Sequence, residues 1–340
     1  METTYQPLFS VVIPAYNAEK YIQATIRSIL RQSVGDFEIV VVNDGSTDRT
    51  REILESVHDA RLRIINQENG GECVARNRGM QEARGKYLAF LDSDDVWHCN
   101  HLEQARDFFS ANEECVWFCS TQTMVSDISE DDITTINLSA QKIIITNWYL
   151  EAAPKVLPSS VCILREAAMA IPHLFQEGFK MFGDNLGWCK FAKIHPMIGL
   201  SDTSTVLYRF WQGNASTTHN VYRHGLRTEA VAMALAKHAA FFNDADCPES
   251  ARLYYRQFAL SHWWICITST LIPRDWDAYL QGNRTLVGLL GTGWIKLLYM
   301  AVNGILHLMR WGIRRKKLSI LRKMEKLANQ TRTTAHSHHE

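Results

Sequence analysis

The stretch Phe90-Leu91-Asp92-Ser93-Asp94-Asp95 decides how the rest of the chain is interpreted. An apolar run from Lys86 to Leu91 is typical of a buried strand, and it stops at three carboxylates within four residues. Strand ends in parallel α/β sheets are frequent ligand sites, and crowded carboxylates favour a hard cation such as Mg²⁺ or Mn²⁺. The alternative is a polar loop in which Asp92 or Ser93 caps the next helix.

The sequence before this stretch alternates between strand-like and helix-like segments. We expect strands over Leu8 to Ile13, ended by Pro14, over Phe37 to Val42 and over Leu62 to Asn66. A segment with helical periodicity follows each of them. This alternation predicts an α/β fold class with a Rossmann-like, mostly parallel sheet flanked by helices.

Four of these strand ends carry polar groups to one edge of the predicted sheet. They are Tyr16 with Asn17, Asp44, the Gly70-Gly71 turn with Arg76, and the carboxylates after Leu91. A tyrosine can stack on a base, a carboxylate can accept from a base or a ribose, and a guanidinium suits phosphate. Neither GxGxxG nor GxxxxGK[ST] occurs, so the sequence supports neither a dinucleotide-binding Rossmann site nor a P-loop.

Composition narrows the class of protein further. The 340 residues are 46% hydrophobic and 21% charged with a formal net charge of zero, which suits a packed globular protein and gives no general attraction to nucleic acid. Eight cysteines occur without a CxxC pair, so we expect a reducing compartment and no zinc site. The first nine residues lack the basic and apolar regions of a signal peptide.

Four motifs in order now carry a resemblance to a known family. They are Ser10-Val-Val-Ile-Pro-Ala-Tyr-Asn17, Val42-Asn-Asp-Gly-Ser-Thr-Asp48, Gly70-Gly71 with Ala75-Arg-Asn-Arg-Gly79, and Phe90-Leu-Asp-Ser-Asp-Asp95. Together they resemble the family-2 glycosyltransferases, which have the GT-A fold. The resemblance implies that the donor nucleotide is bound by Pro14, Tyr16, Asn17, Glu19, Asp44, Arg76, Asp92 and Ser93.

The same resemblance implies a metal site and a reaction. Asp94, supported by Asp92 and Asp95, would hold Mn²⁺ or Mg²⁺ in a DxD motif. The implied activity is inverting transfer of a sugar from a nucleoside diphosphate sugar, most plausibly a UDP-sugar, to an acceptor hydroxyl. The expected setting is synthesis of a surface polysaccharide or a lipid-linked glycan.

The segment Phe182-Gly-Asp-Asn-Leu-Gly-Trp-Cys-Lys-Phe-Ala192 resembles the family's acidic pair, in which Glu-Asp opens a helix. Asp184 occupies the second acidic place and is the implied general base, which takes the proton of the acceptor hydroxyl. Gly183 departs from the pattern because the family usually has glutamate there. A helix cap is the alternative role for Asp184.

A later segment resembles the family's Tyr-Arg…Gly-x-x-Ser element, which lies near the donor diphosphate in relatives. It makes Arg209 and Ser216 weaker site candidates. We expect a catalytic domain over residues 5–220, a helical region over 221–330 and a disordered tail over 331–340.

The helical region carries the only sequence indication of a membrane. Residues 286–309 are mostly apolar but contain Lys296, and eight basic residues follow between Arg310 and Lys326. We favour an interfacial helix with peripheral membrane contact through 286–326, over a buried or a spanning helix. The expected location is the cytoplasmic face of a membrane.

Two other functions stay open from the sequence. A nucleotidyltransferase would also place a nucleotide and a metal at strand ends, although it normally has a basic, Gly-rich loop after the first strand. A non-catalytic nucleotide-sugar-binding or scaffold protein on a transferase fold is the other, and Gly183 leaves room for it.

Overall fold

The computed structural model describes residues 6–128, 132–138, 141–153, 156–179, 182–209, 241–242, 244–255 and 258. The strands within these ranges are β1 Phe9–Ala15, β2 Phe37–Asp44, β3 Leu62–Gln67, β4 Tyr87–Phe90, β5 Val96–Trp97, β6 Trp117–Val125, β7 Ile143–Asn147, β8 Val161–Leu164 and β9 Met197–Arg209. The α-helices are α1 Ile22–Leu30, α2 Thr50–Glu55, α3 Glu72–Glu82, α4 His101–Ala111, α5 Arg165–Met169 and α6 Gly183–Ile194.

These strands form one sheet in the order β3-β2-β1-β4-β8-β6-β9-β5, with β7 paired to β9. The strands β3, β2, β1 and β4 run parallel to one another, as the sequence predicts. Beyond them the sheet is mixed, because β8 runs antiparallel to both β4 and β6. The α/β class is confirmed, and the expected parallel arrangement holds among β1 to β4 and again between β6 and β9.

The central strand β1 is buried on both faces of the sheet. Val12 packs on one side with Leu88 and Trp188. Val11 and Ile13 pack on the other side, in the cluster that contains the apolar face of α1. Burial on both faces explains why the run is continuously apolar instead of alternating.

Pro14 lies inside β1 and does not end it, contrary to the expectation from the sequence. It pairs with Val42 of β2, and the strand continues to Ala15. Val12 accepts from the Leu91 N–H on the β4 side, and Pro14, two residues on, faces that same side. Since β4 ends at Phe90, the missing N–H of Pro14 has no strand to meet there.

Helix α4 and the short strands β5 and β7 have no counterpart in the sequence-based assignment. Two polar side chains interrupt the apolar pattern of α4 because they are buried against β9. His101 Nδ1 lies 2.7 Å from Thr205 Oγ1, and Gln104 Nε2 donates to Ser201 Oγ at 3.0 Å. Strand β9, which carries both partners, begins at Met197.

The predicted boundary at residue 220, most of the helical region 221–330 and its membrane-associated segment 286–309 lie outside the described ranges. The short helical stretch 249–255 does pack on the sheet domain, through Tyr254 against Trp148 at 5.2 Å between ring centroids. Within the part of the chain that the structure describes, no helix has both the length and the apolar character needed to cross a bilayer.

The close packing of α3 against β1 can be tested at Gly79. A Cβ at Gly79 would overlap Val12 Cγ1, whereas a Cβ at Gly35 would meet nothing within 4 Å. We expect Gly79→Ala to lower the free energy of unfolding by about 1–3 kcal/mol, because overpacking outweighs the helix propensity that alanine adds. Gly35→Ala should change it by less than about 0.5 kcal/mol. Urea denaturation measures both, and equal effects would contradict the close packing of α3 on β1.

Candidate active site

The turn that follows β4 is held from below by hydroxyl groups. Ser159 Oγ accepts from the backbone N–H of Asp92 at 3.1 Å. Thr25 Oγ1 of α1 lies 2.8 Å from the carbonyl oxygen of Asp95 and 3.0 Å from that of Ser93. Asp92, Ser93 and Asp94 remain partly exposed at this strand end, while Asp95 is buried. The turn is therefore fixed from inside the protein and presents its first three residues outward.

The carboxylate of Asp95 is turned into the protein. Its Oδ2 accepts from Ser159 Oγ at 2.5 Å, and its Oδ1 accepts from the Arg209 backbone N–H at 3.0 Å. Burial, together with the charges of Asp92 and Asp94, raises the pKa of Asp95 well above its ordinary value. This geometry gives Asp95 the role of anchoring the turn to β9, and it departs from the expectation that Asp95 supports a metal.

Arg209 lies beneath the same turn. Its Nε donates to the carbonyl oxygen of Asp94 at 3.0 Å, and its guanidinium lies 4.6 Å from the ring centroid of Tyr21. The side chain is buried, and Nη1 lies 3.4 Å from Asp127 Oδ1. The structure therefore places Arg209 in support of the carboxylate turn. Ser216, its predicted companion, lies outside the described residues.

A buried guanidinium joins helix α3 to the strand end. Arg76 Nη2 donates to Asp92 Oδ1 at 2.6 Å and also forms an ion pair with Glu72, one turn earlier on α3. Its guanidinium carbon lies 5.6 Å from the ring centroid of Phe175. Burial by itself would lower the pKa of Arg76, but the carboxylates of Glu72, Asp92 and Asp184 raise it. Arg76 therefore stays charged at the centre of an acidic group.

Asp184 occupies the first turn of α6 and belongs to the same electrostatic group. Removal from water raises its pKa, Arg76 opposes that rise, and Asp92 adds to it. Behind it, the Trp188 ring packs edge-on against Phe90 and Phe175, with centroids 5.4 and 5.1 Å away. Helix α6 is thereby seated on the end of β4, which brings the sequence-predicted base to the sequence-predicted DxD motif.

The segment that precedes α6 is clamped by the residue that follows Arg76. Asn77 Nδ2 donates to the Phe175 carbonyl oxygen at 2.7 Å, and Asn77 Oδ1 accepts from the Phe175 N–H at 3.1 Å. This two-point contact fixes the Phe175 ring below the guanidinium. Arg78, in contrast, is half-exposed and pairs with Glu82 on the solvent side of α3.

The loop after β1 is bound to the loop after β2. Asn17, at φ +49° in the left-handed region that asparagine tolerates, accepts from the Thr47 N–H at 2.8 Å. Glu19 accepts from the Arg49 N–H at 3.1 Å and donates its own N–H to Asp48 at 3.0 Å. Tyr16 is 52% exposed beside this junction, so its ring is accessible to a ligand.

Asp44 is nearly fully buried at the end of β2 and organises the Gly70-Gly71 turn. Its Oδ1 accepts from the Gly70 N–H at 2.9 Å and from Gln67 Nε2 at 2.7 Å, while its Oδ2 accepts from the Gly71 N–H at 2.8 Å. Gly71 has φ +90°, which glycine adopts without strain. Asp44 thus fixes the start of the helix that carries Arg76.

Four residues at this site were missed by the sequence reasoning, namely Thr25, Glu72, Asn77 and Ser159. Glu72 had a usable signal, since a glutamate four residues before an arginine on one helix predicts an ion pair. Asn77 lies inside the quoted motif and could have been singled out with Arg76. Nothing local identifies Thr25 or Ser159, because their partners in the turn are 64 to 70 residues away in sequence.

The residues at the strand end suit a divalent cation only in part. Asp92 and Asp94 offer hard oxygen ligands, which fit Mg²⁺ or Mn²⁺. Among the residues described here, no group of three or more His, Cys, Asp or Glu side chains has the arrangement of a complete metal site. A cation bound here would therefore need further oxygen ligands from a bound diphosphate or from water.

The mixed sheet with partly exposed carboxylates at the end of β4 defines a GT-A-type domain. Residues 10–147 match the family model described as Glycosyl transferase family 2. This match confirms the resemblance seen in the four motifs.

Two curated relatives each match part of this chain. A protein of Bacillus subtilis (strain 168), provisionally named a teichuronic acid biosynthesis glycosyltransferase, is 41% identical over 128 residues, which is 37% of this chain and 51% of the relative. An Escherichia coli protein, named a UDP-Glc:alpha-D-GlcNAc-diphosphoundecaprenol beta-1,3-glucosyltransferase, is 41% identical over 97 residues, or 28% of this chain and 38% of the relative. The chain thus spans about half or less of the length of these relatives.

Solved structures share the fold over a longer range. Staphylococcus aureus TarS 1-349 in complex with UDP-GlcNAc superposes with a TM-score of 0.65 at 22% identity, covering 83% of this chain and 81% of that chain. A mannosyltransferase from Pyrobaculum calidifontis, in complex with GDP-Man and Mn²⁺, gives a TM-score of 0.54 at 18% identity, covering 90% and 81%. At these identities the likeness is one of fold.

The anchoring role of the buried Asp44 carboxylate can be tested by comparing it with an exposed aspartate. Asp44→Ala would leave two backbone N–H groups and the Gln67 amide without their acceptor, so we expect the free energy of unfolding to fall by about 1–3 kcal/mol. Asp107→Ala removes an exposed carboxylate paired only at the surface and should cost less than about 0.5 kcal/mol. Urea denaturation of both variants decides, and equal stability would refute the anchoring role.

Proposed function

We propose that this protein is an inverting glycosyltransferase that moves a sugar from a nucleoside diphosphate sugar, of the UDP-sugar class, to an acceptor hydroxyl. The observation that supports this proposal is the arrangement of Asp92, Arg76 and Asp184 around the end of β4. It sets a candidate base, a buried guanidinium and a pair of partly exposed aspartates in one place. The family 2 domain supplies the reaction class.

In this proposal the donor nucleotide lies over the ends of β1 and β2. Tyr16 has the exposure needed to stack on a base, and Pro14, Asn17, Glu19 and Asp44 line the same edge. A uridine nucleotide is favoured because the E. coli relative is named for UDP-Glc and the TarS structure is titled with UDP-GlcNAc. Ser93 and Asp92 would meet the ribose at the inner end of this edge.

The diphosphate would lie near Asp94, with Asp92 beside it. A Mn²⁺ or Mg²⁺ ion held there, chiefly by Asp94, would neutralise the charge that develops on the leaving diphosphate. Asp92 keeps its ion pair with Arg76 in this arrangement, so its carboxylate direction is set by the protein. Asp95 and Arg209 act from below, because they hold the backbone of the turn in place.

Asp184 is the proposed general base. In an inverting displacement the acceptor oxygen attacks the anomeric carbon as its proton passes to a carboxylate, and the bond to the diphosphate breaks. Burial raises the pKa of Asp184, which brings its basicity closer to what proton transfer near neutral pH requires. Asp184 lies in the first turn of a helix that packs on β4, which would hold its carboxylate beside the proposed donor site.

The acceptor is proposed to belong to a surface polysaccharide or a lipid-linked glycan. One relative is named for teichuronic acid biosynthesis and the other for a diphosphoundecaprenol acceptor. Contact with the cytoplasmic face of a membrane through residues 286–326 is part of the proposal, and it rests on the sequence alone. The non-catalytic reading is the second candidate, and the missing glutamate at Gly183 is the observation that favours it.

Nucleotide binding is the first test. We expect isothermal titration with UDP, GDP and dTDP to show binding of UDP with Mn²⁺ present, and weakened binding with a chelator. Asp94→Ala should abolish the metal-dependent part, while Asp107→Ala on the surface of α4 should bind as the wild type does. Failure of the folded protein to bind all three nucleotides would refute the donor site.

Turnover separates the enzyme from the binding protein. We expect Asp184→Asn to lower kcat by roughly 10²–10⁴-fold, the usual contribution of a general base, while UDP affinity stays near the wild-type value. Release of UDP from a UDP-sugar with a polyprenyl-diphosphate sugar acceptor measures it. Unchanged kcat would remove Asp184 from the mechanism, and binding without turnover across many donors and acceptors would favour the scaffold function.

A further inference from the structure

Gly183, the departure from the acidic-pair pattern, has a packing explanation. A Cβ at this position would overlap the Sγ of Cys73 and would lie 3.0 Å from Phe179 Cβ. The first turn of α3 therefore occupies the space that a side chain at residue 183 would need. Contact with α3 therefore excludes glutamate at residue 183. This contact explains why the chain has glycine where the family's acidic pair has its first acid.

The residue next to Cys73 on α3 carries a carboxylate that reaches the Arg76 guanidinium. Glu72, the first residue of α3, forms an ion pair with Arg76 Nη2, the atom that also donates to Asp92 Oδ1 at 2.6 Å. The charges of Asp92 and Asp184 both act on the Glu72 carboxylate. Glu72, Arg76, Asp92 and Asp184 thus form one connected group at the mouth of the site.

We propose that Glu72 supplies, from α3, the carboxylate that the resembled motif carries at residue 183. Its role is that of a positioning residue, which holds the Arg76 guanidinium between Asp92 and Asp184. The proposal rests on the proposed function for its catalytic consequence, because the group it positions includes the proposed base.

The orientation of Arg76 depends on few contacts, which is why Glu72 matters. Within the described part of the chain, Nε and Nη1 of Arg76 are buried without a hydrogen-bond partner. The two carboxylate contacts at Nη2 and the Phe175 ring below are what direct the guanidinium. Losing Glu72 removes one of the two charged contacts and lets the guanidinium shift toward the remaining aspartates.

An ordinary surface ion pair is the competing explanation, and α3 contains one for comparison. Arg78 and Glu82 have the same i,i+4 spacing, and both glutamates are partly exposed, Glu72 at 52% and Glu82 at 31%. The arginines differ, because Arg78 is 50% exposed whereas the Arg76 side chain is 1% exposed. Exposed pairs contribute little, while partners of a buried charge contribute much more. Glu82→Gln is therefore a matched control for Glu72→Gln.

Steady-state kinetics tests the catalytic consequence. We expect Glu72→Gln to lower kcat by about 10–100-fold with a smaller change in the donor KM, because misplacement of reacting groups costs turnover more than binding. Glu82→Gln should leave both constants near the wild-type values. If Glu72→Gln and Glu82→Gln behave alike in an active protein, Glu72 is an ordinary surface residue.

Relocating the carboxylate is the sharper test. Cys73→Ala removes the sulfur that blocks residue 183, so the triple variant Glu72→Gln, Cys73→Ala, Gly183→Glu returns the acid to the place where the motif has it. We expect it to recover most of the lost kcat. The same background with Gly183→Gln has nearly the same shape without the charge and should not recover. Equal behaviour of the two triple variants would overturn the proposal.

A measurement without substrate separates this proposal from the function it rests on. A double-mutant cycle in urea with Glu72→Gln and Arg76→Gln should give a coupling clearly larger than the cycle with Glu82→Gln and Arg78→Gln. A coupling no larger than that of the surface pair overturns the positioning role even if the protein proves inactive. A large coupling in a protein that neither binds nucleotide nor turns over would overturn only the proposed function.

Discussion

The contact between the Arg76 guanidinium and Asp92 is the constraint on which the site depends. Taking a guanidinium out of water costs several kcal/mol, and only close carboxylates offset that cost. Asp92 and Glu72 provide those partners, and Asp184 adds its charge. Because one cation faces three acids, moving any one of them changes the environment of the others. The Arg76 guanidinium thereby links helix α3 to the end of β4 and to helix α6.

The acids at the end of β4 are divided between two tasks by their depth. Asp95 is turned inward, where Ser159 and the backbone of Arg209 satisfy its oxygens, and burial raises its pKa. Asp92 and Asp94 stay partly exposed on the other side of the same turn. A tetrapeptide with three carboxylates thus contains one structural acid and two that can meet a ligand. That division follows from the turn itself, which leaves residues 92–94 partly exposed and directs Asp95 toward Ser159 and β9.

Much of the fold was predictable because β1, β2 and β4 are buried along their whole length and their sequences are mostly apolar, while the half-buried β3 follows at the spacing of a βαβ unit. The mixed half of the sheet was less predictable from the sequence. Strand β5 is two residues long, and the buried polar residues His101 and Gln104 hide the apolar face of α4. Pro14 misled the assignment because its missing N–H falls where β4 has already ended. Each miss arises from a tertiary partner that the local pattern does not contain.

The candidate site was predictable where chemistry and motif coincide, as at Asp92 and Asp184, and less so where a residue acts through another. Asp44 and Arg209 have the expected residue types at the expected strand ends, yet their contacts are with the backbone of neighbouring turns. A motif records which side chain occurs at a sequence position, whereas the chemistry needs a charge at a point in space. Two helices meet at that point here. The sulfur of Cys73 fills the space beside Gly183, and the neighbouring residue on α3, Glu72, brings an acid to Arg76 instead.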